Sequence, residues 1–170
     1  MQQYSALRRE PDPREDRDMP MSAAALGVAG VLPFALLTLA AIFEYDRRVG
    51  LASGSARDFL VLYGIVIASF VGGIRWGAAM RHPDPKERAM FFAMSVLAPL
   101  FAFAIPIVTR PPHDLTLLIL IFLLLGFSDV MMARKGSAPA WYGTLRTVLT
   151  GLVVAILIVA LAVLPLETGL

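Results

Sequence analysis

Apolar runs about as long as a membrane is thick alternate along this chain with short charged stretches. A spanning helix needs about 20 mainly apolar residues to cross roughly 30 Å of hydrocarbon. Five segments meet or approach that length: residues 22–43, 59–80, 89–109, 115–133 and 147–166. The pattern predicts an all-α integral membrane protein, a bundle of five transmembrane helices in residues 22–166. Two of the runs hold a charge. Arg75 stands in the second, within "FVGGIRWGAAM". In the fourth, the uncharged part 115–128 would rise only about 21 Å at 1.5 Å per residue, so a full span takes Asp129 into the membrane boundary.

Composition agrees with this reading. Of 170 residues 58% are hydrophobic and 16% charged, with a mean hydropathy of +0.71, far more apolar than a soluble domain. The absence of cysteine excludes disulfide frameworks, thiolate metal sites and cysteine nucleophiles. A net charge of +2 gives no reason to expect a nucleic-acid partner. The first 21 residues mix four arginines, five acids and three prolines, which predicts a disordered tail. They fit neither a cleaved signal peptide nor a mitochondrial presequence. Residues 167–170 form a short C-terminal end, and the connecting loops are too short to hold a soluble domain.

Position, rather than total, makes the basic residues informative. Ten Lys and Arg fall in the tail, in 81–88 and in 134–146, against four in 44–58, 110–114 and the C-terminus. By the positive-inside rule the N-terminus is expected in the cytoplasm and the C-terminus outside. The second and fourth spans then run inward, placing Arg75 and Asp129 about 6–8 Å inside the same membrane face. Trp76 neighbours the first of them, and "APAWYGTLR" adds Trp141, Tyr142 and Arg146 to the layer. Charges inside a bilayer are rare unless paired, facing a cavity or snorkelling. Three arrangements are open: two snorkelling side chains with aromatic anchors, an Arg75–Asp129 ion pair, or a polar site.

Small residues spaced by four let helices approach closely in membranes. In the second span Gly64, Ala68 and Gly72 form one such stripe, continued by Arg75, and Ser69, Gly73 and Gly77 another about 140° away. That span is expected near the centre of the bundle. Pro33, Pro99 and Pro106 fall inside the first and third spans and predict kinks. His82 and His113 sit in loops at opposite faces, and no metal, nucleophile-elbow or phosphate-loop motif is present. No catalytic residue, metal or cofactor is therefore expected.

The stretches "LGVAGVLPF", "YGIVIASFVGGIRWG", "SVLAPL" and "WYGTLRTVLT", taken in this order, resemble the bacterial and mitochondrial family of multi-span proteins of unknown function that includes transmembrane protein 69. The resemblance covers most of residues 26–150. It implies an inner-membrane location and a shared polar-aromatic layer of Arg75, Trp76, Trp141, Tyr142 and Arg146, and it brings no activity. The expected function is that of a small multi-pass protein of the bacterial inner membrane. It would be a non-enzymatic accessory, structural or assembly component packing against a membrane-protein partner or a second copy. The alternative is binding or transport of an anionic lipid, a quinone or a small metabolite at the layer around Arg75 and Asp129. A third reading, an embedded enzyme using Asp129, His82 and Tyr142, rests on no motif.

Overall fold

A computed structural model of the chain describes residues 18–164; the expected tail, apart from its last residues, and the short C-terminal end lie outside them. Every regular element among the described residues is helical: α1 (Met21–Ile42), the one-turn α2 (Tyr45–Arg48), α3 (Ser55–Arg81), α4 (Pro85–Val108), α5 (His113–Arg134) and α6 (Ala140–Val163). The five longer helices are each long and apolar enough to cross a membrane. Large apolar side chains such as Leu36, Phe70, Phe103 and Leu124 cover the outer surface, as lipid demands of a helix whose backbone groups are satisfied internally. The chain is a multi-pass membrane protein.

The helix ends differ from the apolar runs where local chemistry extends a helix into charged sequence. Helix α4 starts at Pro85 rather than at residue 89 because Asp84 caps it, accepting from the Lys86 N–H at 2.9 Å; proline at the first helical position has no N–H that would need an acceptor. Helix α6 starts at Ala140, directly after Pro139, so Trp141, Tyr142 and Arg146 are helical residues rather than loop residues. Helix α3 starts at Ser55 behind Gly54, whose φ of +88° suits glycine, and this brings Arg57 into the helix. The α1–α3 connection is held by buried Asp46, which accepts from the Gly54 N–H at 2.7 Å and the Arg47 N–H at 2.9 Å.

Helices α1, α3, α5 and α6 form a closed ring, each touching two others, while α4 lies along α3 and meets α5 only lightly. The ring interior is filled by Phe34, Leu60, Leu118, Phe122 and Leu157. Phe34 packs edge-on against Tyr63 and Phe122, with centroids 4.9 and 5.7 Å away. Tyr63 also donates from its hydroxyl to the Gly30 carbonyl at 2.9 Å. That carbonyl is the neighbour of the one deprived of its helical donor by Pro33.

One small-residue stripe explains how α3 can touch three helices. A Cβ on Gly64 would stand 2.9 Å from Leu118 of α5, and one on Gly72 would stand 2.8 Å from the Ala98 Cβ of α4. Ala68, between them, is fully buried. The second stripe faces outward. Gly73 and Gly77 are exposed with no atom within 4 Å of a Cβ, and Ser69 turns its hydroxyl back to the Ile65 carbonyl at 2.8 Å.

Candidate functional site: a buried arginine–aspartate–arginine layer

Successive spans alternate in direction, so the C-terminal ends of α3 and α5 lie beside the N-terminal ends of α1, α4 and α6. Arg75 is six residues from the end of α3, Asp129 five from the end of α5, and Arg146 six from the start of α6. At 1.5 Å per residue all three sit about 8–9 Å in from the helix ends. Two close helix contacts fix the α5–α6 half of this layer. A Cβ on Gly126 would stand 2.6 Å from the Thr150 hydroxyl, and one on Gly143 would stand 3.0 Å from the Ala133 Cβ. Absent side chains at these two crossings bring Asp129 to Arg146.

Asp129 is wholly buried at 0% exposure, with Arg75 at 2% and Arg146 at 8%. Arg146 Nε donates to Asp129 Oδ2 at 2.7 Å. On the other side, Arg75 Nη2 lies 2.8 Å from Asp129 Oδ1 but donates to the Leu125 carbonyl at 3.1 Å. The Arg75–Asp129 approach is a charge contact rather than a directed hydrogen bond, because Oδ1 has no donor aligned on it. Snorkelling is thus not the arrangement of these side chains.

Two guanidinium groups share one carboxylate, so the layer holds an excess positive charge. Several donors in it are unspent. Arg75 Nη1, Arg146 Nη2, the Tyr142 hydroxyl and the Thr150 hydroxyl are buried without a partner among the described residues. Buried polar groups are normally satisfied, and an unsatisfied one costs about 1–3 kcal/mol, more when charged. With Asp129 Oδ1, five polar atoms in one layer lack a hydrogen-bond partner among the described residues, which marks a place where the polar pairing of the folded chain is incomplete.

Three openings reach this layer, each through a different residue. A groove of about 460 Å³ between α4 and α5 has Arg75 in its wall, with Met90, Met94, Leu97, Leu124 and Ser128. A cavity of about 710 Å³ at the helix ends is lined by Tyr142, His82 and Lys135. A notch of about 120 Å³ among α1, α3 and α6 has Arg146 and Thr150 in its wall. His82 Nε2 stands 3.0 Å from Glu87 Oε2 at the rim. Among the described residues, no three acidic, histidine or cysteine side chains gather as metal ligands would.

Of the residues named from sequence, Arg75, Asp129, Tyr142 and Arg146 come together. The two tryptophans do not join them. Trp76 is 49% exposed on the outer surface of α3 and packs edge-on against Phe92 at 4.7 Å; the half-buried Trp141 ring stands edge-on to Tyr142, with centroids 6.2 Å apart. Sequence reasoning missed Thr150, Gly126 and Gly143. Their signal was present: Gly126 is the one glycine in α5, three residues before Asp129, and Gly143, Thr147 and Thr150 form a small-residue stripe on α6.

It also missed a second buried pair. Arg57 Nη2 and Asp114 Oδ1 meet at 2.6 Å, both side chains about nine-tenths buried, at the opposite end of the bundle. Helix α3 therefore carries an arginine, and α5 its aspartate, near each end.

Comparison with known proteins agrees with this architecture. Transmembrane protein 69 of Xenopus tropicalis is 30% identical over 137 residues, which cover 79% of this chain and 51% of that protein. The chain thus spans about half the length of the curated relative it matches. No solved structure matches it. The profile described as "Protein of unknown function (DUF3429)" matches residues 19–162, nearly the whole helical bundle, and the chain belongs to that family.

Proposed function

We propose that this protein is a non-enzymatic, membrane-embedded binding protein for an anionic amphiphile, whose charged group is held at the Arg75–Asp129–Arg146 layer. The observation that carries the reading is the shared carboxylate: two buried arginines, one buried aspartate and guanidinium donors left over. Desolvating a charge costs several kcal/mol even after relaxation, and an anion placed against the spare N–H groups would offset it. Basic pockets between membrane helices bind anionic headgroups by this chemistry. By the positive-inside rule the layer faces the cytoplasm, and the bacterial inner membrane is the location that fits the loops.

The test is binding of single amphiphiles to the delipidated protein, followed by native mass spectrometry. Anionic amphiphiles should be retained in preference to zwitterionic ones of equal chain length, and Arg75→Gln should remove the preference while the helices stay folded. Equal retention of both classes by the natural sequence would end this reading.

One observation favours a second reading, the accessory or assembly role. The outward stripe of Ser69, Gly73 and Gly77 leaves a shallow, side-chain-poor track on α3, the kind of surface against which another membrane helix packs. Gly73→Leu should then abolish co-purification of a stoichiometric partner or of a second copy. Recovery of the same species with the variant would leave the track as ordinary lipid-facing surface.

A further inference from the structure

The α4–α5 groove has a shape that packing alone does not require. Helices α4 and α5 are consecutive, and the short turn between them closes one end. Yet α4 packs along α3 and α5 along α6, and the two touch each other sparingly. The groove occupies the half of the pair away from the turn, lined by α4 from Glu87 to Phe101 and by α5 from Ile121 to Lys135. Fourteen residue steps along each side, the last on α5 reaching its capping residue Lys135, give it a length of about 21 Å. That is about the depth of one bilayer leaflet, half of roughly 40–45 Å with headgroups.

Polarity along the groove follows the same profile. Glu87 and Lys135 stand at the outer mouth, Arg75 and Ser128 about halfway in, and Phe101, Ile121 and Leu124 toward the bilayer middle. The mouth charges cancel, which leaves Arg75 as the cation in the wall; it shares the Asp129 carboxylate with Arg146, and its Nη1 is buried without a partner. Four methionines, Met90, Met94, Met131 and Met132, supply much of the wall; flexible, polarizable side chains suit a surface that adapts to a chain of variable shape. A volume of about 460 Å³ is within the range of ligand sites.

We infer that this groove seats one anionic phospholipid taken laterally from the surrounding leaflet. Its headgroup lies between Lys135 and Arg75, and one acyl chain lies along Met94, Leu97, Phe101 and Leu124. The inference rests on the anion-binding reading of the polar layer and adds the ligand class, its orientation and its point of entry. A soluble anion would use only the charged outer half of the groove. A partner helix would cover the apolar inner half but bring nothing to the Arg75 Nη1.

The experiment compares retention of phosphatidylglycerol and phosphatidylcholine by the full chain, delipidated in mild detergent and read by native mass spectrometry. Three variants are used: Arg75→Gln for the charge, and Ser128→Trp and Leu97→Trp to fill the groove at two levels, each first checked for helicity and monodispersity. One phosphatidylglycerol should be held per chain. Arg75→Gln should lower its retention about fivefold toward that of phosphatidylcholine, the factor expected for one basic residue. Either tryptophan should displace both lipids.

Tryptophan variants that keep phosphatidylglycerol while Arg75→Gln loses it would overturn the groove assignment and leave the polar-layer reading intact. Tryptophan variants that lose it while Arg75→Gln keeps it would show a groove gripping tails alone, overturning the anionic headgroup and the polar-layer reading with it. Displacement of bound lipid by millimolar inorganic phosphate would make the ligand a soluble anion and overturn the lipid.

Discussion

Arg75 and Arg146, on helices whose backbones do not pack against each other, claim opposite oxygens of the Asp129 carboxylate, at 2.8 and 2.7 Å. The aspartate is therefore the one residue on which both cations depend. Asp129→Asn leaves two buried guanidinium groups without a counter-charge and should cost about 3–5 kcal/mol of stability. Arg75→Gln keeps the hydrogen-bonded Arg146–Asp129 pair and should cost least of the three, with Arg146→Gln between them. Unfolding in mixed micelles measures the order. An Arg75 variant as unstable as the Asp129 variant would mean that the carboxylate is not shared.

Backbone proximity, not charge, positions that pair. Gly126→Ala puts a methyl group 2.6 Å from the Thr150 hydroxyl and 2.8 Å from its methyl, and should destabilise by about 1–3 kcal/mol as overpacking does. Thr150→Ala removes both obstructing atoms, so the double variant should recover most of the loss. Gly73→Ala serves as the contrast. Its Cβ meets nothing, and it should be neutral or stabilising by up to about 1 kcal/mol because alanine is the better helix residue.

The spans were legible in the sequence because lipid imposes a length and an apolar composition that no tertiary contact overrides. Asp129 was legible as well, since the apolar run around it is too short to span without it. What stayed hidden depends on rotation of one helix against another. Gly64, Gly72, Gly73 and Gly77 are alike in sequence, and only packing separates two buried glycines from two exposed ones. Trp141 was expected in the polar layer from its depth at the start of the fifth span and Trp76 from the family resemblance, yet a one-residue step from Tyr142 or Arg75 turns a helical side chain about 100° away. The Arg57–Asp114 pair went unseen because each residue lies just outside an apolar run, where a charge needs no explanation.

That outer pair should behave as an independent clamp. Arg57→Ala and Asp114→Ala should each cost about 1–3 kcal/mol, as loss of a charged, largely buried hydrogen bond does, and the double variant should cost less than their sum. Combined with Arg75→Gln, some 27 Å along α3, Arg57→Ala should add to within about 0.5 kcal/mol. A double-mutant cycle measures both. Coupling between the two ends well above that value would show that α3 and α5 move as one unit.

Orientation in the membrane can be read directly, because the chain has no cysteine of its own. Single cysteines at Ser53, in the α1–α3 connection, and at Ala140, at the start of α6, lie at opposite ends of the bundle. In intact bacterial cells an impermeant thiol reagent should label Ser53→Cys, and label Ala140→Cys only after the membrane is opened. The reverse pattern would place the polar layer in the outer leaflet.

The most direct test of the excess charge is a solid-state NMR distance measurement between arginine side-chain nitrogens and lipid phosphorus, with the protein reconstituted in bilayers containing phosphatidylglycerol. A guanidinium at hydrogen-bond distance from phosphate should be present in the natural sequence and in Arg57→Gln, and absent in Arg75→Gln. A phosphate contact that survives Arg75→Gln unchanged, or none beyond those of the exposed arginines, would contradict the assignment of Arg75 as the anion's partner.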